Sequence, residues 1–249
     1  MELEALKQKV TERVCSTECK RKRNCLGKIK KIENQTYKSK PGQLRASIRD
    51  IKEKAMQRAL LGLTDTGKID SEAKTILKGE SKEIYWLDME VPVSESPSRR
   101  RPCVDLLGRA DTGETVICEL KYVTPGETTH KSDCPIYAVL EILNYHTALC
   151  KNHHGLRHVF KSPHPQDPKT DIWNDYGKNA LLLVAGNASY WEYWQDNFNI
   201  SSETFKTISK LAGITILPYK FEDIVFKTDD NGKHCPGERH EEISEWKLI

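Results

Sequence analysis

Around Glu83 the spacing of apolar residues changes, and that change restricts the fold of this chain more than any other feature. Before it, Leu44, Ile48, Ile51, Ala55 and Ala59 recur at helical spacing, flanked by Arg45, Arg49 and Lys52. This pattern predicts a helix starting near Gln43, just after Pro41-Gly42. After it, "EIYWLDMEVPV" reads as a strand, with Pro92 marking an edge or an end. "DLLGRADTGETVICELKYV" (residues 105–123) then reads as two strands joined at "ADTGE". The helical period returns in "SDCPIYAVLEILNYHTALC" (residues 132–150), where Asp133 is a candidate cap and Pro135 sits in the first turn. Its buried stripe is Ile136, Val139, Leu140 and Leu143.

"NALLLVAG" is short and wholly apolar, as a central strand buried on both faces must be. A helix from Ser202 to Ala212 and a strand "GITILPYKF" follow it. A short helix is expected after Asp70-Ser71, and residues 151–178 read as a long loop. The order is helix, three strands, helix, strand, helix, strand. It predicts an α/β fold, a mixed β-sheet flanked by helices. Three regions result: a basic, cysteine-containing N-terminal helical extension (1–40), the main domain (41–227) and a polar C-terminal tail (228–249).

The hairpin carries charge where a half-buried strand would not. With the turn centred at Thr112, Asp105 lies opposite Glu119, and Lys121 shares their face two residues on. Opposed carboxylates repel, and a divalent cation between them removes the repulsion. Carboxylate oxygens completed by water suit Mg²⁺ or Mn²⁺. A nearby ammonium then orients or activates a water, or offsets charge on a phosphate, as metal-assisted phosphodiester hydrolysis requires. Alternating charge is also common on solvated strands, so Glu-x-Lys alone proves little.

Pro102-Cys-Val-Asp105, thirteen further residues and Glu119-Leu-Lys121 together resemble the PD-(D/E)XK nuclease superfamily. The spacing of Pro102 departs from the family pattern, in which the proline directly precedes the aspartate. The resemblance covers roughly residues 83–150 and implies a restriction-endonuclease-like core that cleaves DNA or RNA with a divalent metal. It implies Asp105 and Glu119 as metal ligands and Lys121 as the residue that positions or activates the attacking water. Glu141-Ile-Leu-Asn-Tyr145 is similar to the Gln-x-x-x-Tyr element of the RecB-like branch, with Glu in place of Gln. Tyr137, Glu141, Asn144 and Tyr145 are therefore candidates to line a cleft. Family members often add an acidic ligand from the helix before the sheet, a role open to Glu53 or Glu72.

Residues 1–60 hold 17 Lys or Arg against 7 Asp or Glu, so this segment carries +10 and the rest −7 of the net +3. A basic arm on an acidic body suits a polyanion. Within the arm, Cys15, Cys19 and Cys25 are candidate ligands for zinc, with Cys235, His234 or His240 as a fourth, or for an iron–sulfur cluster. Some RecB-like nucleases carry such a cluster. Free thiols in a basic segment are the simpler reading. Cys103, Cys118, Cys134 and Cys150 fall in core elements and read as small buried hydrophobes.

The N-terminus lacks the apolar segment of a secretory signal, and eight cysteines then fit an intracellular setting, cytoplasmic or nuclear, with reduced thiols. No apolar run is long enough for a membrane span, so no membrane partner is expected. No phosphate-binding loop, GxSxG elbow or HExxH helix occurs. The expectation is a metal-dependent nuclease acting on DNA, with RNA still open as substrate and a homodimer allowed. The alternative is a non-catalytic nucleic-acid-binding module with a cysteine-bound zinc.

Overall fold

The computed structural model describes residues 52–62, 73–93, 103–126, 134–152, 176, 180–225 and 243–249. Helix α1 is Lys52–Leu61, the only described part of the helix expected from Gln43. Strands β1 (Lys74–Lys78), β2 (Lys82–Pro92), β3 (Cys103–Ala110) and β4 (Thr115–Lys121) follow as an antiparallel series. Then come α2 (Pro135–Asn152), β5 (Ala180–Asn187), α3 (Ala188–Phe198), α4 (Ser202–Ala212), β6 (Ile216–Phe221) and β7 (Glu245–Leu248). β4, β5 and β6 run parallel, β7 returns antiparallel to β6, and β7 pairs parallel with β1. The mixed sheet expected from the element order therefore closes on itself as a seven-stranded barrel.

Three segments differ from the expectation. The short helix expected after Ser71 is instead strand β1, whose Thr75 and Leu77 are buried and which turns into β2 through Gly79. β-branched Thr75 and Ile76 suit a pleated surface better than a helix. Helix α3 had no sequence signal because β5 runs into it directly at Asn187–Ala188, with no loop to mark the change of period. Residues 245–248, read as part of a polar tail, supply the strand that closes the barrel, with Trp246 as its buried anchor.

The sheet has a core on each face. Inside the barrel, Ala55, Met56 and Leu60 of α1 meet Ile84, Trp86, Leu106, Cys118, Leu183 and Trp246. Trp86 and Phe221 each approach Trp246 at 5.6 Å between ring centroids. Gly108 makes this packing possible: a Cβ there would lie 2.8 Å from Trp86 Cε3 and 2.9 Å from the Tyr85 carbonyl oxygen. On the outer face, α2, α3 and α4 cover Leu107, Ile117, Leu182 and Val184 with Ile142, Tyr190, Trp191 and Phe205. Helix α4 has the expected bounds, with a Ser201–Thr204 capping box and Gly213 at φ 68° at its end. Among the described residues no helix is long and apolar enough to cross a membrane.

Candidate active site

The hairpin has the expected register. Leu106 pairs with Cys118, Leu107 with Ile117 and Arg109 with Thr115, so Asp105 comes to the level of Glu119. The main-chain pairing runs to Leu106, and the Asp105 side chain continues it: its Oδ2 accepts the Leu120 backbone N–H at 2.8 Å. Its Oδ1 accepts the side-chain amide of Gln57, from α1, at 3.0 Å. Asp105 is thereby held between β4 and α1.

A local change in the facing of two strands, β2 and β3, lies beside it. Met89 and Leu106 face the inner core, while Val91 and Val104, two residues away on the same strands, face the outer one. Residues two apart on a regular strand share a face, so both strands reverse their facing between these pairs. Glu90 lies in the gap at φ 54°, a left-handed conformation uncommon for a residue with a side chain. Asp105 lies across from it, between the pairs Met89–Leu106 and Val91–Val104. Irregularities of this kind re-aim side chains next to active sites.

Glu119 and Lys121 project from β4 toward α2. Lys121 Nζ donates to Glu119 Oε1 at 2.7 Å and lies 3.5 Å from Glu141 Oε2 on α2. Glu119 Oε2 is buried and has no hydrogen-bond partner among the described residues. Tyr145, one turn beyond Glu141 on the same helix face, is buried. Its phenol is held protonated by burial and then by the charges of Glu119, Glu141 and Asp105, which puts it within reach of the cluster.

The electrostatics show negative charge in excess. Burial raises the Asp105 carboxyl well above its ordinary range, and Glu53 and Glu90 raise it further, against the pull of Lys121 and the Leu120 N–H. Burial likewise raises Glu119, with Asp105 and Glu141 adding to it and Lys121 opposing. For Lys121, burial favours the neutral amine, but Glu119, Glu141, Glu53 and Asp105 outweigh it and hold the ammonium charged. Carboxylates so close cannot all ionise without a cation to balance them.

The structure thus brings together Asp105, Glu119, Lys121, Glu141 and Tyr145. It also puts Glu53 in electrostatic reach of Asp105 and Lys121. Glu72 and the cysteines at 15, 19, 25 and 235, with His234 and His240, lie outside the described residues. Of the four described cysteines, Cys118 and Cys134 are buried as expected, while Cys103 and Cys150 are half-buried. Sequence reasoning missed Gln57 and Glu90. Gln57 was findable, since it stands four residues after Glu53 and so on the same helix face. Glu90, ion-paired to Lys54 at 3.4 Å, had no such signal.

Among the described residues, no group of three or more His, Cys, Asp or Glu side chains is drawn together as a ready-made metal cluster; Lys121 instead gathers Glu119 and Glu141 to itself. The residues that could hold a divalent cation are Asp105 and Glu119, whose Oε2 is buried and unpartnered and whose carboxyl is raised by burial and by the charge of Asp105. Hard oxygen donors of this kind suit Mg²⁺ or Mn²⁺. Comparison with family models, curated proteins and solved structures finds no match to this chain.

Proposed function

We propose that the chain is a divalent-metal-dependent deoxyribonuclease with a PD-(D/E)XK-like site on a restriction-endonuclease-like core. The observation that carries this reading is the buried oxygen cluster of Asp105 and Glu119, with an orphaned Glu119 Oε2 and a charged Lys121 beside it. A buried carboxylate oxygen with nothing to accept from costs about 1–3 kcal/mol or more, unless a ligand completes it.

In this reading Asp105 and Glu119 hold Mg²⁺ or Mn²⁺, and Glu53 adds negative charge from α1. When bound, the ion supplies Lewis-acid polarisation of a phosphodiester and a water of lowered pKa. Asp105 is fixed by Leu120 and Gln57, so its carboxylate needs little reorganisation to bind. Lys121 is kept protonated by the surrounding carboxylates, so it serves as a donor. It orients the attacking water or offsets charge on the phosphate. Glu141 braces Lys121 from α2, and Tyr145 lines the same side. The basic N-terminal segment supplies sequence-independent phosphate contacts, and Cys15, Cys19 and Cys25 remain candidate ligands for zinc or an iron–sulfur cluster.

The test is cleavage of single- and double-stranded DNA by the full chain in Mg²⁺ or Mn²⁺, with RNA in parallel. Cleavage that chelator and Asp105→Asn both stop supports the reading. Binding to DNA without cleavage under any divalent ion would overturn it in favour of a non-catalytic binding module.

A further inference from the structure

We infer that Gln57 is a positioning residue of the metal site, holding Asp105 with its amide nitrogen and accepting a cation-bound water with its amide oxygen. The inference rests on the metal-site reading above and extends it to a helix residue outside the Asp105, Glu119 and Lys121 pattern.

Gln57 lies in the middle of α1, fully buried, at a position where apolar side chains are the rule. Its neighbours Met56 and Leu60 belong to the inner apolar core. Of its two polar atoms, Nε2 donates to Asp105 Oδ1 at 3.0 Å. The other, Oε1, is buried with no hydrogen-bond partner among the described residues. Buried side-chain amides in folded proteins are almost always satisfied at both atoms, and one that is not marks a ligand or water site.

The position of the orphan selects the ligand. Oε1 belongs to the same planar amide that contacts Asp105, so it sits at the edge of the carboxylate cluster. An acceptor beside several carboxylates is not placed to bind an anion. What suits it is a donor, and the waters that Mg²⁺ keeps when bound by few protein groups are strong ones. Glu119, whose carboxyl is raised by the charge of Asp105, carries a second buried, unpartnered acceptor in Oε2. A hydrated cation bound at Asp105 is what would satisfy such acceptors. Groups that orient metal ligands in this way are worth about 10–100-fold in metal affinity.

Calorimetric titration of the full chain with Mn²⁺, without substrate, tests this. Wild type, Asp105→Asn, Gln57→Met and Gln57→Glu are compared, each checked for fold by near-UV circular dichroism. Gln57→Met keeps the volume, removes the unpartnered Oε1 and leaves Asp105 Oδ1 without its donor; these effects on stability oppose each other, so the metal-free fold should persist while Mn²⁺ affinity falls about 10–100-fold. Gln57→Glu keeps an acceptor oxygen and should lose less. In DNA cleavage, Gln57→Met should raise the Mn²⁺ concentration for half-maximal rate without changing KM for DNA. Wild type binding Mn²⁺, Asp105→Asn not binding it and Gln57→Met binding it like wild type would overturn the role of Gln57 alone. Gln57→Glu no better than Gln57→Met would overturn the water-accepting role. Wild type that binds no Mn²⁺ would sink the metal site and this inference together.

Discussion

Asp105 Oδ2 accepts the backbone N–H of Leu120 at 2.8 Å, so a side chain of β3 extends the pairing to β4 beyond the Leu106–Cys118 pair. The bond fixes the Glu119–Leu120 peptide, next to the two charged side chains of β4 that face α2, Glu119 and Lys121. One residue therefore both offers a carboxylate and sets the geometry of its two partners.

That dual role decides which substitution tests the chemistry. Asp105→Ala removes the acceptor of a buried N–H and of the Gln57 amide, and should cost about 1–3 kcal/mol in stability for each orphaned donor. Asp105→Asn keeps an oxygen for Leu120, and Gln57 can turn its own amide oxygen toward the new NH₂ group. The Asn variant should therefore melt within a few degrees of wild type yet lose cleavage by about a hundredfold or more, since metal stabilisation is worth several kcal/mol. Chemical denaturation alongside single-turnover cleavage checks both halves. An Asn variant that is folded and cuts at the wild-type rate removes Asp105 from the site.

Lys121 makes its contacts at both ends of the proposed chemistry. Lys121→Met leaves Glu119 and Glu141 without their shared cation, and the buried Glu119 must then take up a proton or stay charged and unpaired. The metal-free protein should lose about 3–5 kcal/mol, the usual cost of breaking a buried pair. Saturating Mn²⁺ should restore most of that loss, because the freed Glu119 oxygens can bind it. Cleavage should stay crippled even at saturating metal, since the positioned donor is gone. Thermal melts with and without Mn²⁺ read the first two effects; a variant that recovers activity with excess metal would leave Lys121 a purely structural role.

Gly186 pairs with Lys121 across β4 and β5, and its missing side chain leaves room for Tyr190. A Cβ at 186 would fall 2.5 Å from Tyr190 Cδ1 and 3.2 Å from Trp191 Nε1, both fully buried residues of α3. Gly186→Ala must displace an aromatic ring that has no free space, at a cost of about 1–3 kcal/mol. For a domain of this size that lowers Tm by about 2–4 °C per kcal/mol. Differential scanning calorimetry gives the number. An unchanged Tm would mean that α3 packs more loosely on the sheet than this contact implies.

How far the sequence reached is clear from the same residues. The hairpin register was legible because Gly113, at φ 99°, fixes the turn and the apolar alternation on both sides leaves one face for each residue. The ends of α4 were legible because Ser201 caps it and Gly213 stops it. Closure of the barrel was not, because it depends on four residues of β7 within a polar stretch, of which only Trp246 is buried. Nor was the reversal at Glu90 and Asp105. Left-handed backbone is usually signalled by Gly or Asn, and here a glutamate adopts it. The site's charged pattern was thus visible along one hairpin, and Glu53 pointed to the helix before the sheet, while the contact that ties α1 to the site, Gln57 on Asp105, is a tertiary one.

The pH dependence of stability follows from the same crowding. Burial first, and neighbouring negative charge second, raise Asp105 and Glu119 well above their ordinary values of 3.8 and 4.5. Such a carboxyl binds its proton more tightly in the folded than in the unfolded chain. Its contribution to stability is therefore full below the unfolded pKa and drains away as pH climbs through the folded one. Lys121 does not contribute in this window, because its pKa is raised above an already alkaline 10.5. His146 works in the opposite sense: burial lowers it to about 4, so stability is lost as pH falls below the ordinary 6.5. Comparing wild type with Glu119→Gln cancels the His146 effect. In chelator, the stability of wild type relative to Glu119→Gln should decline from about pH 4 upward. Mn²⁺ competes with the same protons, so the stabilisation it gives wild type should grow over that range and be much smaller in the Gln variant. Melts across pH 4–8 with chelator and with Mn²⁺ measure both slopes. A wild-type-minus-variant difference that rises with pH in chelator would show that Glu119 ionises freely in the fold, and the crowded-carboxylate account of the site would be wrong.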